Sequence, residues 1–267
     1  SREGSMTAQA VIGRLRRDLA LSAALKWLLL GGAMAATLLL AGEWAQVGVL
    51  VALGGLWLAL TIGSRRGSVL AAESSHLIAA GEYDAAEAQL EQAIRSFSLF
   101  RTSKLLSLHQ MAVLRHKRRQ WGDARALARA LLRHRLGPLR HFRRSAQLIL
   151  AEASLETGDL PAAYESLRSL YDQRLSLAES MHLLRAQLDY ESRVGAWQNM
   201  AGGMPTKVQL AELMPAYDAA QSQALLALAA RKTGRGDWEQ WLCSRAALLA
   251  DVQELVARRP ILRELWA

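Results

Sequence analysis

The chain has 267 residues, one cysteine (Cys243) and a formal net charge of +9. A single cysteine excludes an intramolecular disulfide framework and a cysteine-rich zinc cluster, and we interpret Cys243 as a small buried side chain. Hydrophobic residues make up 51% of the chain. Leu, Ala and Arg dominate while β-branched residues are sparse, which predicts an all-α protein.

Two apolar runs follow a basic N-terminal segment, residues 1–18. The first, residues 20–42, carries one charge, Lys26, and at about 1.5 Å per residue it can cross a hydrocarbon core about 30 Å thick. Lys26 lies near the start of this run, where its stem can reach the headgroups. The second run, residues 47–63, is uncharged. Because only four residues separate the runs, we predict an antiparallel transmembrane hairpin over residues 19–63.

A cleaved signal peptide is the alternative interpretation of the first run, because an Arg-rich flank precedes an apolar stretch with small residues. The length of the run and the second span directly after it argue against this alternative.

The basic residues lie on one side of the predicted hairpin. Arg14, Arg16 and Arg17 precede the first run, Arg65 and Arg66 follow the second, and the connecting turn has no Lys or Arg. The positive-inside rule then places both termini in the cytoplasm. The sequence therefore predicts a multi-pass protein of the inner (cytoplasmic) membrane, with everything after the hairpin on the cytoplasmic side.

A pattern recurs after the second run. In each copy a bulky residue follows a helix end by two or three positions, and a small or medium residue comes three positions later. The bulky residues are Tyr83, Trp121, Leu160, Trp197 and Trp238, with spacings of 38, 39, 37 and 41 residues. The residues three positions later are Ala86, Ala124, Ala163, Met200 and Trp241. A period near 38 with two helices per copy is typical of a helical solenoid. An irregular helical bundle with a coincidental pattern is the alternative.

The pattern resembles the tetratricopeptide repeat (TPR) family over roughly residues 67–250. The first copy matches the family's Gly, Tyr, Ala, bulky and Ala positions through Gly81, Tyr83, Ala86, Leu90 and Ala93. The third copy matches through Gly158, Leu160, Ala163, Leu167 and Leu170, and the last through Gly236, Trp238 and Leu248. The copies exceed the family's length of about 34 residues, Trp241 stands where a small residue is expected, and the fourth copy is degenerate. The resemblance implies an α-solenoid of TPR-like helix pairs over residues 67–267, ending in a capping helix.

Small residues in this pattern allow a close helix crossing. Two helices joined by a tight turn approach to about 8 Å only if the residues in contact are small. We expect Ala86 and its equivalents to make that contact, the bulky residues to fill the wedge beside it, and the glycines to form the turn. The predicted packing residues are Gly81, Tyr83, Ala86, Trp121, Ala124, Gly158, Leu160, Ala163, Trp197 and Trp238.

The first helix of each unit lines a concave groove in TPR proteins, and such a groove binds a peptide or a helix. The resemblance carries the groove positions to His109, Val113, His116, Glu152, His182, Arg185 and Asp189.

One segment concentrates the positive charge. Residues 115–144 contain 11 Lys or Arg and one acid, Asp123. Arg125, Arg129 and Arg133 recur at a spacing of four and predict a basic stripe on one helix face. Three interpretations stay open: a solvated face, contact with the anionic cytoplasmic leaflet, or an acidic protein or nucleic-acid partner. Nucleic acid is disfavoured, because few aromatic residues lie in this segment and no nucleic-acid-binding motif is present.

No catalytic, cofactor or metal-binding motif stands in the sequence, so we predict a protein that is not an enzyme and has no cofactor. We expect a membrane-tethered, TPR-like scaffold that binds or positions protein partners at the cytoplasmic face. Its layout is similar to that of the two-span TPR proteins associated with bacterial haem biosynthesis. The alternatives are an oligomeric membrane-remodelling or channel-like protein built on the hairpin, or a basic module that binds anionic lipid or nucleic acid. The oligomeric state is left open.

Overall fold

A computed structural model of the chain describes residues 6–39 and 42–266. Within those residues the fold is all-helical, with no strand. The chain divides into two compact units, Ser1–Ile149 (unit 1) and Leu150–Ala267 (unit 2). The α-helices are α1 (Ala8–Leu39), α2 (Glu43–Ala80), α3 (Tyr83–Arg95), α4 (Arg101–Lys117), α5 (Trp121–Leu132), α6 (Phe142–Glu156), α7 (Leu160–Tyr171), α8 (Leu177–Val194), α9 (Trp197–Ala201), α10 (Met204–Glu212), α11 (Ala216–Lys232), α12 (Gly236–Leu249) and α13 (Val252–Arg258), with short 3₁₀ helices at Gly137–Leu139 and Pro260–Leu265.

The first two helices are long and apolar enough to cross a membrane, as the sequence predicts. They form an antiparallel hairpin: a Cβ built on Gly32 would lie 3.9 Å from Leu53 Cδ1, and Gln46 Nε2 donates to the carbonyl oxygen of Thr37 at 3.5 Å. Residues 40 and 41, at the end of the first predicted span, lie outside the described residues. The predicted turn at residues 43–46 is instead the first turn of α2.

Both helices extend well beyond the predicted spans. Helix α1 begins at Ala8, ahead of the predicted boundary at residue 18, and α2 continues to Ala80, past the predicted boundary at residue 63. Over the first part of α1, residues 8–22, the buried positions are Ala8, Val11, Leu15, Asp18 and Ser22. On α2 they are Ser64, Gly67, Ala71, Ser74 and Ile78. Both sets advance by three and four residues in alternation, which is one face of an α-helix. These faces pack into the core of unit 1, so α1 and α2 each belong both to the apolar hairpin and to the packed unit.

A buried ion pair joins the elements where the apolar hairpin meets the packed unit. Lys104 of α4 lies 2.5 Å from the Asp18 carboxylate of α1, and its side chain is 3% exposed. The same ammonium donates to the carbonyl oxygens of Ile94, at 2.8 Å, and Ser96, and so completes the C-terminal end of α3. Burial lowers the pKa of Lys104, and Asp18 opposes that shift. Asp18, the last residue of the predicted N-terminal segment, is therefore packed within unit 1.

The start of α1 is held by a second buried group. Arg115 is 2% exposed; it lies 2.7 Å from Glu87 Oε1 and donates to Met6 O at 2.9 Å. The backbone amide of Met6 donates to Glu91 at 2.6 Å. A hydrogen-bonded, desolvated guanidinium is costly to leave unpaired, so these contacts fix the N-terminal end of the helix.

The predicted helix pairs have a recurring turn. The helices α3, α5, α7 and α9 begin at Tyr83, Trp121, Leu160 and Trp197, the four bulky residues that the sequence pattern identifies. Two residues before each of them, and again before α12, one residue adopts a positive φ. These residues are Gly81, Arg119, Gly158, Gly195 and Gly234, at φ of 82, 59, 75, 71 and 75°. The spacings in that list are 38, 39, 37 and 39 residues.

The fifth copy therefore has a different alignment from the predicted one. The left-handed residue is Gly234, so Gly236 occupies the position of Tyr83, and Trp238 lies two residues further along α12. The sequence offers a glycine on each side of Arg235, and the chain places its left-handed turn at the first. The fourth copy is also irregular, because α9 has five residues and is followed by the additional helix α10.

The small residues of the pattern lie at the centre of the packing. Ala86, Ala124, Ala163 and Met200 are each 0% exposed. In unit 2 the central element is α11, whose residues from Ala219 to Ala230 are all buried. Helices α8, α9, α10 and α12 all pack against it, and its many alanines leave room for them.

We expect Ala86→Leu to lower the free energy of unfolding by about 1–3 kcal/mol, because extra methylenes must fit into a fully packed crossing. Thermal or chemical unfolding of the detergent-solubilised chain measures the change. Ala85→Leu is the matched control, since Ala85 is the adjacent exposed residue of the same helix and should change the value little. Equal stabilities for the two variants would contradict this packing.

Candidate interaction surfaces

The predicted groove residues of unit 1 are largely part of its packing. His109 on α4 is 5% exposed. Its ring stacks on Phe142 with centroids 4.2 Å apart, and its Nε2 lies 3.2 Å from Ser145 Oγ. His116 is half-buried and meets the edge of Trp121 at 5.3 Å, and Val113 is half-buried in the core. Most of this predicted surface is therefore occupied by the protein's own side chains.

The predicted groove residues of unit 2 come together in ion pairs. Arg185 of α8 donates to Glu152 of α6 at 2.6 Å and to Asp218 of α11 at 2.8 Å. Burial lowers the pKa of Arg185, but the two carboxylates outweigh burial and hold that pKa above its usual range. His182 lies 3.6 Å from Glu152 and its side chain is 49% exposed. The groove prediction thus includes His182, Arg185 and Glu152, which lie together, whereas Asp218, the second carboxylate that pairs with Arg185, was not among the predicted residues.

A second set of ion pairs surrounds Asp189. The Asp189 side chain is 5% exposed and lies 3.1 Å from Arg193 and 3.0 Å from Arg259. Arg259 also lies 2.5 Å from Glu156 of α6. Because these charges are matched, Asp189 stabilises unit 2 by joining α8 to the segment after α13, and it is not presented for ligand binding.

The predicted basic stripe runs lengthwise along α5. Gln120, just before this helix, accepts from Arg115, which also binds the Met6 carbonyl, whereas His134, just after it, lines a cavity with Ser22 and Lys26 of α1. Helix α5 therefore runs parallel to α1, and its last turn is nearest the apolar hairpin.

This direction spreads the three arginines. At 1.5 Å per residue, Arg125 is about 12 Å further from the hairpin than Arg133. Arg125 and Arg129 also have interaction partners within the protein. Arg133, an exposed residue at the end of α5, is thus the member of the stripe closest to the hairpin.

An exposed aromatic surface on α12 was missed by the sequence analysis. Trp241 is 43% exposed and Leu248, two turns later on the same face, is 86% exposed. Trp241 meets Trp238 edge-on with centroids 5.7 Å apart, and the Arg245 guanidinium lies 5.0 Å from the centre of the Trp241 ring. Asp237, Trp238 and Trp241 line an open cavity of about 240 Å³. Residues 241, 245 and 248 have the spacing of one helix face. The repeat alignment missed this face because it assigned Trp241 to an inward position.

Among the described residues, no group of three or more His, Cys, Asp or Glu side chains could hold a metal ion. Cys243 is half-buried and has a free thiol, whose pKa is raised first by burial and then by Glu239.

Comparisons with protein-family models, curated proteins and solved structures find no match to this chain.

Burial of His109 predicts a loss of stability in acid. Burial, with a smaller contribution from His141, lowers the pKa of His109 to about 4, against 6.5 for an ordinary histidine. Between these two values the unfolded chain binds a proton that the folded chain does not. Stability should therefore fall as the pH drops from about 6.5 to about 4, by about 3 kcal/mol from this residue.

Chemical unfolding of the solubilised chain at pH 7 and at pH 4 measures this loss. His109→Gln should remove most of it, whereas His182→Gln, at an exposed histidine, should leave it in place. A pH dependence that is unchanged in His109→Gln would contradict the burial of a neutral His109.

Proposed function

We propose that this protein is a membrane-tethered, TPR-like scaffold that binds or positions protein partners at the cytoplasmic face of the inner membrane. The observation that carries the proposal is the continuity of α1 and α2 from an exposed apolar hairpin into the core of unit 1. Trp27, Leu38 and Trp44 are 74, 78 and 89% exposed on that hairpin. Such a large exposed apolar surface is stable in a bilayer and a liability in water.

The TPR-like part of the proposal is supported by the recurring turn. A left-handed residue followed two positions later by a helix start, at intervals of 37 to 39 residues, is what successive helix pairs require. The packed small residue five positions after it, as at Ala86, Ala124 and Ala163, agrees with a close crossing within each pair. The short α9 and the inserted α10 depart from the family's pattern.

The proposed orientation follows from charge. An antiparallel hairpin leaves both of its ends on one side, and Arg14, Arg16, Arg17 and Arg65 all lie at those ends. The positive-inside rule then favours the cytoplasm for both termini and for the helices that follow.

The α12 face, which we define as Asp237, Trp238, Trp241, Arg245 and Leu248, is the surface that we propose for partner binding. Trp and Arg are enriched among residues that dominate protein interfaces, and exposed apolar patches mark such interfaces. The cavity between the two Trp rings suits one apolar side chain, and the Asp237 carboxylate at its rim suits a basic neighbour. The partner segment is thus a peptide or amphipathic helix with an apolar anchor residue beside a basic one.

Site-specific photocrosslinking in native membranes tests the function. A photoreactive amino acid at Leu248 should crosslink a discrete protein, and Trp241→Ala in the same chain should reduce the yield about tenfold or more, as expected for loss of an interface anchor. The same photoreactive residue at Glu165, an exposed polar position on α7, is the control and should not capture that protein.

Equal capture from both positions would contradict a partner site on α12. Capture of a second copy of the chain alone would contradict the scaffold proposal and favour an oligomer built on this protein.

A further inference from the structure

A cavity of about 500 Å³ lies where α1 passes from the apolar hairpin into unit 1. One wall is a face of α1, and the other is formed by the first residue of α4 and the residue two positions after α5. The lining residues are Leu19, Ser22, Ala23, Lys26, Trp27, Leu30, Arg101 and His134. The apolar members of the wall continue into the exposed apolar surface of the hairpin, since Trp27 is 74% and Leu30 is 56% exposed.

The polar lining of this cavity is basic. Lys26, Arg101 and His134 approach it from three elements, and none of the lining residues that the structure describes is acidic. Among residues 6–39 and 42–266, no ion pair engages Lys26 or Arg101, in contrast to the matched arginines of unit 2. Two exposed cations at one cavity without a carboxylate create a site that favours an anion.

Further positive charge surrounds the cavity. The 17-residue helix α4 begins at Arg101, has no acidic residue in its first turn and no side-chain cap, so the positive end of its dipole adds to the field. The pKa of His134 is lowered first by partial burial and then by the charges of Arg101 and Arg16.

We propose that this cavity binds one anionic phospholipid of the adjacent leaflet. The phosphate of the headgroup lies among Lys26, Arg101 and His134, and an acyl chain follows α1 along Ala23, Trp27 and Leu30. A lipid matches the site because the cationic groups and the apolar wall form one continuous surface, and a soluble anion would use only the first of these. The site is independent of the α12 face, so its failure would leave the proposed scaffold function unaffected.

A second junction cavity provides the contrast. It has a volume of about 750 Å³ and an apolar wall that includes Ala59, Leu60 and Val69, and among the lining side chains that the structure describes Arg65 is the one basic residue. The two cavities adjoin the same hairpin, so a comparison of their basic residues separates a built site from general attraction to an anionic surface.

Native mass spectrometry of the full chain in detergent tests the proposal. The chain is titrated with phosphatidylglycerol and, separately, with phosphatidylcholine of the same acyl chains. We expect one phosphatidylglycerol to bind at least about tenfold more tightly than phosphatidylcholine. Each neutralised cation should weaken that binding about fivefold, so Lys26→Gln with Arg101→Gln should weaken it about 25-fold. Arg65→Gln, at the second cavity, should bind like the unmodified chain.

Three results would overturn the proposal. The first is equal binding of the two lipids, and the second is equal weakening by Arg65→Gln and by the double variant, which would indicate diffuse attraction. The third is displacement of phosphatidylglycerol by millimolar glycerol phosphate, which would assign the site to a soluble anion. Circular dichroism of both variants keeps the comparison interpretable, because the substituted side chains are exposed and their melting curves should match that of the unmodified chain.

Discussion

The packing of α1 and α2 into unit 1 is the constraint on which the rest of the arrangement depends. Each helix carries a buried stripe, repeating at three and four residues, over one part of its length and a largely exposed apolar surface over the other, where Leu29 and Ala36 of α1 are also buried. No flexible linker separates these parts, so in the proposed membrane arrangement the hairpin fixes how unit 1 meets the bilayer. Polar contacts complete the junction: Lys104 pairs with Asp18, and the Leu99 amide donates to Ser64 Oγ at 2.8 Å. The apolar hairpin is therefore a structural part of unit 1 as well as the proposed attachment to the membrane.

A second consequence concerns where recognition can occur. The polar residues on the first helices of the pairs are mostly matched within the protein, as with Arg185 between Glu152 and Asp218. A buried ion pair loses several kcal/mol when one partner is removed, so a ligand would have to compete with strong internal contacts there. Two surfaces expose side chains that a partner could contact. One is the α12 face, with Trp241 and Leu248, and the other is the cavity between α1 and the start of α4, with Lys26 and Arg101. We therefore propose protein binding at the first and lipid binding at the second.

The sequence predicted the features that depend on local chemistry. Helical content, the two apolar helices and the starts of α3, α5, α7 and α9 follow from composition, hydropathy and a repeated turn signal. Gly81 and Gly158 were predicted at turns and both have positive φ. The three- and four-residue spacing of the buried positions from Ala8 to Ser22 also stands in the sequence, but the arginines between them were interpreted only as a basic N-terminal segment that sets the orientation.

Features that depend on distant residues could not be predicted in this way. Asp18 meets Lys104, and Arg259 meets Glu156, across separations that no spacing rule covers. The groove positions came from a resemblance, and a resemblance does not indicate that Asp218 will pair with Arg185. Two neighbouring glycines, Gly234 and Gly236, made the fifth turn ambiguous, and the structure selects the first.

A spin-label accessibility scan along α2 tests the central claim most directly. Single labels are placed at successive positions from 44 to 80 in a Cys243→Ser background, and the full chain is reconstituted in liposomes. We predict that positions 47–58 are accessible to oxygen and shielded from a water-soluble nickel chelate. From Ser64 onward, low mobility should recur every three or four residues, at positions 64, 67, 71, 74 and 78, with no mobile interval between the two regions. Free label motion throughout residues 63–67, or nickel access across 47–58, would contradict a helix shared between the membrane and the packed unit.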